Sequence, residues 1–219
     1  MKKKLLTVGD SFTWGHELSD ATETTPSDFA WPSLLSKKLD YNLKNLGCNS
    51  SSNSRIFRLA VKHTIVENYD LVICGWTDIN RLDLNYNGQD CQININFPAV
   101  GHYTWLKDYF SYFHDEQRQF EIWMTQILTL QQFFKMHQQK YLFVAMPNYN
   151  YRHLLKRNNL EHFWKEIDSK YYLGWSSSEG MVDWQGDCPL GPGRHPLELG
   201  HQRIANKIYE YIGHLGWIS

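Results

Sequence analysis

Much that would point to a particular partner is missing from this 219-residue sequence. There is no surplus of charge: 22 basic against 23 acidic residues leave a net charge of −1, and no block of like charge is longer than Lys2-Lys3-Lys4. A chain that neutralises a run of phosphates needs a surplus of cations, so a nucleic-acid partner is disfavoured. No apolar run approaches the roughly 18 residues of a membrane span, so no membrane partner is expected. Behind the basic start, only Leu5-Leu6-Thr7-Val8 precede Gly9 and Asp10. That is short of the apolar stretch of about 7–15 residues in a secretory signal, and a reducing, cytoplasmic location is the expectation. The four cysteines, Cys48, Cys74, Cys91 and Cys188, show no C-x-x-C spacing. A zinc site is disfavoured and nothing demands disulfides, so no metal and no organic cofactor is expected. A glycine-rich phosphate loop of Walker type is also lacking, which argues against a phosphate-handling enzyme. No internal repeat or low-complexity linker divides the chain.

What is present is apolar and aromatic. Hydrophobic residues make up 42% and aromatic residues 15%, with nine Trp and thirteen Tyr. That composition suits a thick aromatic core, or an aromatic groove for a sugar or another flat ligand. The length fits a single domain over residues 1–219. Short apolar runs at Leu5–Val8, Asp70–Cys74 and Lys140–Met146, with a weaker one at Asn42–Leu46, read as strands covered on both faces. Helical spacing falls between and after them, over Trp31–Leu39, Arg55–Asn68, Glu116–His137 and Pro196–Leu215. The second stripe includes Ile56, Leu59, Ala60, His63 and Val66. The third runs through Phe120, Trp123, Ile127, Leu130 and Phe134, and the last through Leu199, Ile204, Ile208 and Ile212. Such alternation predicts an α/β fold, a doubly wound α/β/α sandwich on a parallel sheet with Leu5–Val8 central and strand order 2-1-3-4-5. Asn80–His114 is polar, Asn-rich and aromatic, longer than most α/β loops, and reads as a lid, an insertion or a subunit contact.

Two short stretches carry chemistry. The first strand stops at Gly9-Asp10-Ser11, which puts a hydroxyl at a strand's carboxyl end, where open α/β sheets build their sites; a plain turn would use the same residues. Near the other end stands GPGRHPLELGHQRIA, residues 191–205. His195 precedes Pro196 and is biased away from helix, while proline opens helices well, so this histidine is either a turn residue or a general base.

Together these stretches resemble the SGNH (GDSL-type) hydrolase family over nearly the whole chain. The resemblance implies a flavodoxin-like α/β/α sandwich and ester hydrolysis by a Ser-His-Asp arrangement, with Ser11 as nucleophile, His195 as base and the Ser11 N–H as an oxyanion donor. The middle motifs depart from the family. Where it places a glycine, this chain has Ser50 or Ser51. Where it has G-x-N-D, this chain reads Gly75-Trp76-Thr77-Asp78, so the third donor falls to Thr77, or else to Asn53 or Asn80. Asp10 is counted with these binding residues, and Arg81 is either a cation at the same rim or a surface ion-pair partner. The family's acid lies three residues before the histidine, but position 192 is proline. Asp187 is the nearest candidate for the catalytic acid and Asp183 the next.

Two prolines and two glycines separate Asp187 from His195, however. That span predicts that the far ring nitrogen meets a backbone carbonyl, a water or another carboxylate instead. His201 reads as a capping or packing histidine, and Trp14, Trp76 and Tyr103 as stacking surfaces. The resulting expectation is a serine hydrolase cleaving an ester, an O-acyl group on a carbohydrate or small molecule, through a Ser-His dyad or a triad. The alternative is a non-catalytic binding or structural protein on the same fold.

Overall fold

Strands that are apolar on both faces must be covered on both, and that requirement sets the layers here. The computed structural model describes residues 2–86, 89–93 and 104–218. In chain order the elements are β1 (Lys4–Val8), α1 (Ser11–Trp14), α2 (Trp31–Leu39), β2 (Asn42–Asn45), α3 (Asn53–Val66), β3 (Leu71–Trp76), β4 (Leu82–Tyr86) and β5 (Gln89–Ile93). Then follow α4 (Thr104–Asp108), α5 (Glu116–Met136), β6 (Tyr141–Ala145), α6 (Tyr151–Arg157), α7 (His162–Glu166), α8 (Met181–Trp184) and α9 (Glu198–His214). A π-helical turn, Tyr109–Phe113, extends α4.

The main sheet has the order β2-β1-β3-β6 and every pairing is parallel. Alternate residues leave a strand on opposite faces. Leu6, Val8, Val72, Cys74 and Phe143 pack with Ile56 and Ala60 of α3 and with the α5 stripe of Phe120, Trp123, Ile127, Leu130 and Phe134. On the other face Leu5, Leu71, Ile73, Leu142 and Val144 meet Trp31 and Leu35 of α2 and Ile204, Ile208 and Ile212 of α9. These side chains are nearly all fully buried, and each Val, Leu, Ile or Phe among them contributes about 1.5–3 kcal/mol relative to exposure. Cys74 lies among them, and burial pushes its thiol pKa well up, so it behaves as a small hydrophobe.

The departures from the sequence expectation in the strands and helices have physical causes. The expected fifth strand is reduced to one parallel bridge, Phe143 with Tyr172. Leu173 N–H still reaches the Phe143 carbonyl at 2.9 Å, but Gly174, at φ +91°, then turns the chain away. Helix α9 begins at Glu198 rather than Pro196, because Pro196 is held in an antiparallel bridge with Leu190. Its buried stripe is His201, Ile204, Ala205, Ile208 and Ile212, which leaves Leu199 off the face and exposed. In α3, Val66 comes after the last buried residue of the stripe, Ala60, and is exposed at the helix end. The segment expected as a lid or insertion contains β4 and β5, an antiparallel pair separate from the main sheet. Residues 94–103 of it, Tyr103 included, lie outside the described residues. Among those described, no helix is long and apolar enough to cross a membrane.

His201 joins the two helices of one layer. Helix α2 starts after Ala30 without a side-chain cap. The Trp31 N–H, one of the donors a helix start leaves open, bonds to His201 Nδ1 at 3.2 Å in the buried interface. That acceptor role requires a neutral ring. Burial, and then the neighbouring His195, press the His201 pKa down to about 4, against a smaller upward pull from the Pro196 carbonyl.

The folded pKa lies below the ordinary 6.5 of histidine, so between those values the unfolded chain holds a proton that the folded chain refuses. Stability should therefore fall as pH drops through this window, and the share due to His201 is about 3 kcal/mol. His201→Asn keeps an acceptor for Trp31 and does not titrate. Urea unfolding from pH 7 to pH 4 should show a flatter stability profile for this variant than for the native chain.

Candidate active site

The turn after β1 is pressed onto the sheet by one side chain. Thr13 of α1 fits among Gly9, Gly47 and Gly75, which follow β1 and β2 and lie in β3. A Cβ on Gly9 would overlap the Thr13 hydroxyl, one on Gly75 would stand 3.0 Å from it, and one on Gly47 would stand 2.6 Å from the Trp14 nitrogen. A side chain at Gly9 or Gly47 would push α1 away from the strand ends, and one at Gly75 would crowd the Thr13 hydroxyl. Ser11, the first residue of that helix, is 4% exposed.

Asp10 caps the same helix and is buried. One carboxylate oxygen accepts the Phe12 N–H at 3.0 Å, and the other accepts the Thr77 hydroxyl at 2.7 Å and Arg81 Nη1 at 3.0 Å. Arg81 Nη1 also reaches the Ser51 carbonyl at 3.4 Å, so this guanidinium links the serine turn to the loop after β2. It is a buried ion-pair partner, with its side chain only 9% exposed.

These contacts reassign several residues. Thr77 was a candidate oxyanion donor, but its hydroxyl is given to Asp10. The Asn53 side chain is also committed: its amide donates to the Thr77 carbonyl at 3.0 Å and its oxygen accepts the Thr77 N–H at 2.8 Å. Asn80 is bonded through Oδ1 to His114 Nε2 at 2.8 Å. Ser51 gives its N–H to the Cys48 carbonyl, and its hydroxyl accepts from Arg55. Ser50 is different. Its φ is +60°, the left-handed conformation that glycine adopts most freely, at one of the two positions where the sequence comparison placed the family's glycine. Trp76 is fully buried in the core and is no stacking surface, whereas Trp14 is part-exposed with its indole N–H on the Thr22 carbonyl.

His195 arrives on a hairpin. Leu190 and Pro196 form its antiparallel bridge, Gly191 N–H bonds to the His195 carbonyl at 2.9 Å, and Arg194 N–H closes the turn on the Gly191 carbonyl at 2.9 Å. Nε2 of His195 lies 2.9 Å from Ser11 Oγ. The other ring nitrogen, Nδ1, lies 2.9 Å from Oε2 of Glu17, a residue the sequence reading did not consider. The Glu17 carboxylate also accepts the Gly193 N–H at 2.6 Å and the His195 N–H at 3.2 Å. A Cβ at Gly191 would stand 2.6 Å from Glu17 Oε2, and one at Gly193 would stand 3.1 Å from Oε1, so both glycines leave room for the carboxylate. Burial alone would raise the Glu17 pKa. The Gly193 N–H, the His195 ring and the His195 N–H outweigh it and hold the group ionised below the usual glutamate value.

Asp187 is not in this arrangement. Its side chain is 92% exposed and pairs with Arg203 Nη1 of α9 at 2.6 Å, which lowers its pKa. The bridge at Leu190 explains the displacement, because residue 187 lies outside the hairpin and runs along α9. Asp183 caps α8, accepting the Gly180 N–H and the Asn148 amide. The signal for Glu17 that the sequence does carry is the G-x-G spacing just before the histidine. It marks close approach, but does not say which residue approaches.

A family model described as "Family of unknown function (DUF6071)" matches residues 16–219. No curated protein matches the chain in sequence. Among solved structures, the chain is similar to the esterase EstA from Pseudoalteromonas sp., with a TM-score of 0.57, 13% identity, and coverage of 97% of this chain and 98% of that one. A G-D-S-L-family protein from Desulfitobacterium hafniense DCB-2 gives 0.53 and 14%, covering 95% of this chain and 99% of that one. A family two carbohydrate esterase from Clostridium thermocellum gives 0.56 and 12%, covering 99% of this chain but 65% of that one. At such identities these likenesses establish the fold, the α/β arrangement of SGNH hydrolases.

The Asp10–Arg81 pair yields a direct test. Arg81→Met keeps the bulk of the side-chain stem but leaves the Asp10 charge buried without its cation, which should cost about 3–5 kcal/mol. The shift in the urea unfolding midpoint measures it, and a loss below about 1 kcal/mol would mean the pair behaves as a solvated one.

Proposed function

We propose that this chain, which belongs to the family of unknown function DUF6071, is a serine hydrolase that cleaves an ester. The observation that carries the reading is the unbroken line from Ser11 Oγ through both nitrogens of His195 to the carboxylate of Glu17, with 2.9 Å at each step. A serine hydroxyl is a weak nucleophile until a base within hydrogen-bond reach takes its proton. In this scheme Ser11 Oγ attacks the ester carbonyl carbon and its proton passes to His195 Nε2. Glu17 holds the ring with its Nδ1 proton facing away from the serine and offsets the positive charge that develops. The tetrahedral intermediate needs N–H donors on its oxyanion. The Ser11 N–H at the start of α1 and the Ser50 N–H, turned by its left-handed backbone, are the candidates. Collapse breaks the bond to the alcohol, which leaves with the proton from His195. Water, deprotonated by the same ring, then releases the acid from Ser11.

For the substrate, the likeness to a carbohydrate esterase supports an O-acyl group on a sugar. A purely binding role would need no base between the serine and a carboxylate, and the committed Thr77 and Asn53 side chains are the features that favour it.

Hydrolysis of short-chain aryl esters tests the assignment. Ser11→Ala should abolish it, and Glu17→Gln should lower kcat by up to about 10⁴-fold, the scale seen when a triad acid is neutralised. Asp187→Asn should stay within about tenfold of the native enzyme, far from a triad-acid loss. Activity that survives in Ser11→Ala would rule out the serine mechanism, and a large loss in Asp187→Asn would return the acid to that residue.

A further inference from the structure

A second histidine stands beside His195, and nothing in the hydrolytic scheme uses it. His16 follows α1, with its N–H on the Ser11 carbonyl at 3.0 Å. Its ring meets that of His195 edge-on, with centroids 4.9 Å apart and planes at 86°. Phe12 also lies near the His195 ring, with centroids 5.9 Å apart. Two rings from the turn that carries Ser11 thus pack against His195. His16 Nδ1 also lies 2.9 Å from the Asn49 amide nitrogen. Asn49 immediately precedes Ser50, and its own Oδ1 is buried with no partner among the described residues. The bond to His16 is therefore the one hydrogen bond of that side chain there.

Resting on the proposed hydrolase reading, we propose that His16 is a positioning residue that couples the Ser50 loop to the general base. One ring nitrogen grips Asn49, and the ring itself braces His195. The coupling demands a neutral His16. Nδ1 can accept the Asn49 amide only while it is unprotonated, leaving the ring proton on Nε2. Burial, followed by the His195 charge, lowers the His16 pKa, and Glu17 pulls the other way. A charged His16 would release Asn49 and repel the imidazolium that forms on His195 during turnover. The groups facing His16 are thus His195, Glu17 and Asn49, and each ties its protonation state to the site.

The test is a double-mutant cycle on aryl-ester hydrolysis with His16→Phe, Asn49→Ala and the pair. His16→Phe keeps a ring against His195 and loses the grip on Asn49, while Asn49→Ala loses only the grip. If the coupling is real, each single variant lowers kcat by about ten- to hundredfold through misplacement, with KM within twofold and thermal stability near native. The pair should then be no worse than the worse single variant, because both remove the same link. Native kcat in His16→Phe, or losses that multiply in the pair, would overturn the proposal. The acid limb of kcat/KM should also be steeper in the native enzyme than in His16→Phe, because two rings must stay unprotonated instead of one.

The imidazole nitrogen NMR spectrum reads the same link without turnover. Asn49→Ala should shift the His16 Nδ1 resonance and perturb those of His195, and an unchanged His195 ring would refute the coupling. An inactive native chain that shows these shifts would instead count against the hydrolase reading alone.

Discussion

The Glu17 carboxylate collects three donors from a segment more than 170 residues away, the Gly193 N–H, the His195 N–H and the His195 ring. Hydrogen bonds to an ionised group are worth about 1.5–3 kcal/mol each. Together they offset the left-handed backbone of Glu17, whose φ of +69° costs a non-glycine residue about 1–2 kcal/mol. Remove that carboxylate and the hairpin loses what tethers it to the loop after α1, and the His195 ring loses the contact that sets its tautomer. The position of the His195 hairpin against the loop after α1 depends on this one group.

A second charged centre plays the matching part beneath the serine. Asp10 is buried with its charge met by Arg81 and by the Thr77 hydroxyl. Thr77 in turn is locked to Asn53 through both backbone groups. The loops after β1, β2 and β3 are therefore joined by polar contacts in a region where an unmade one would be expensive. This network explains how the site keeps its shape while side chains at the family's donor positions have other duties. Ser50, in the loop after β2, has a left-handed backbone at φ +60°.

How much of this was legible in the residues varies with the range of the interaction. The strands β1, β3 and β6 follow from continuous apolar runs and the stripes of α2 and α5 from helical periodicity, because a buried face must be apolar wherever it packs. Strand β2 is largely part-exposed and its signal is weak. The fifth strand was not legible: a single glycine in a left-handed turn ends it, and glycine has many other uses. The β4–β5 pair is marked only by a short apolar–polar alternation, Leu82 to Tyr86, and by Asn87-Gly88, the dipeptide that two-residue hairpins favour, inside an otherwise polar stretch.

By itself the sequence determined the strands of the sheet and the serine and histidine that stand near the two ends of the chain, because each is written in a run of neighbouring residues. The connection rules of parallel sheets then supplied the order of the first four strands. Only the tertiary structure decided which carboxylate faces His195, where Asp187 points, and that Thr77 and Asn53 bond to the scaffold. Those outcomes depend on the hairpin register at Leu190–Pro196 and on the left-handed turn at Glu17, which bring together groups far apart in sequence. Spacing along the chain says nothing about such meetings, since the energy that selects them exists only once the loops are packed.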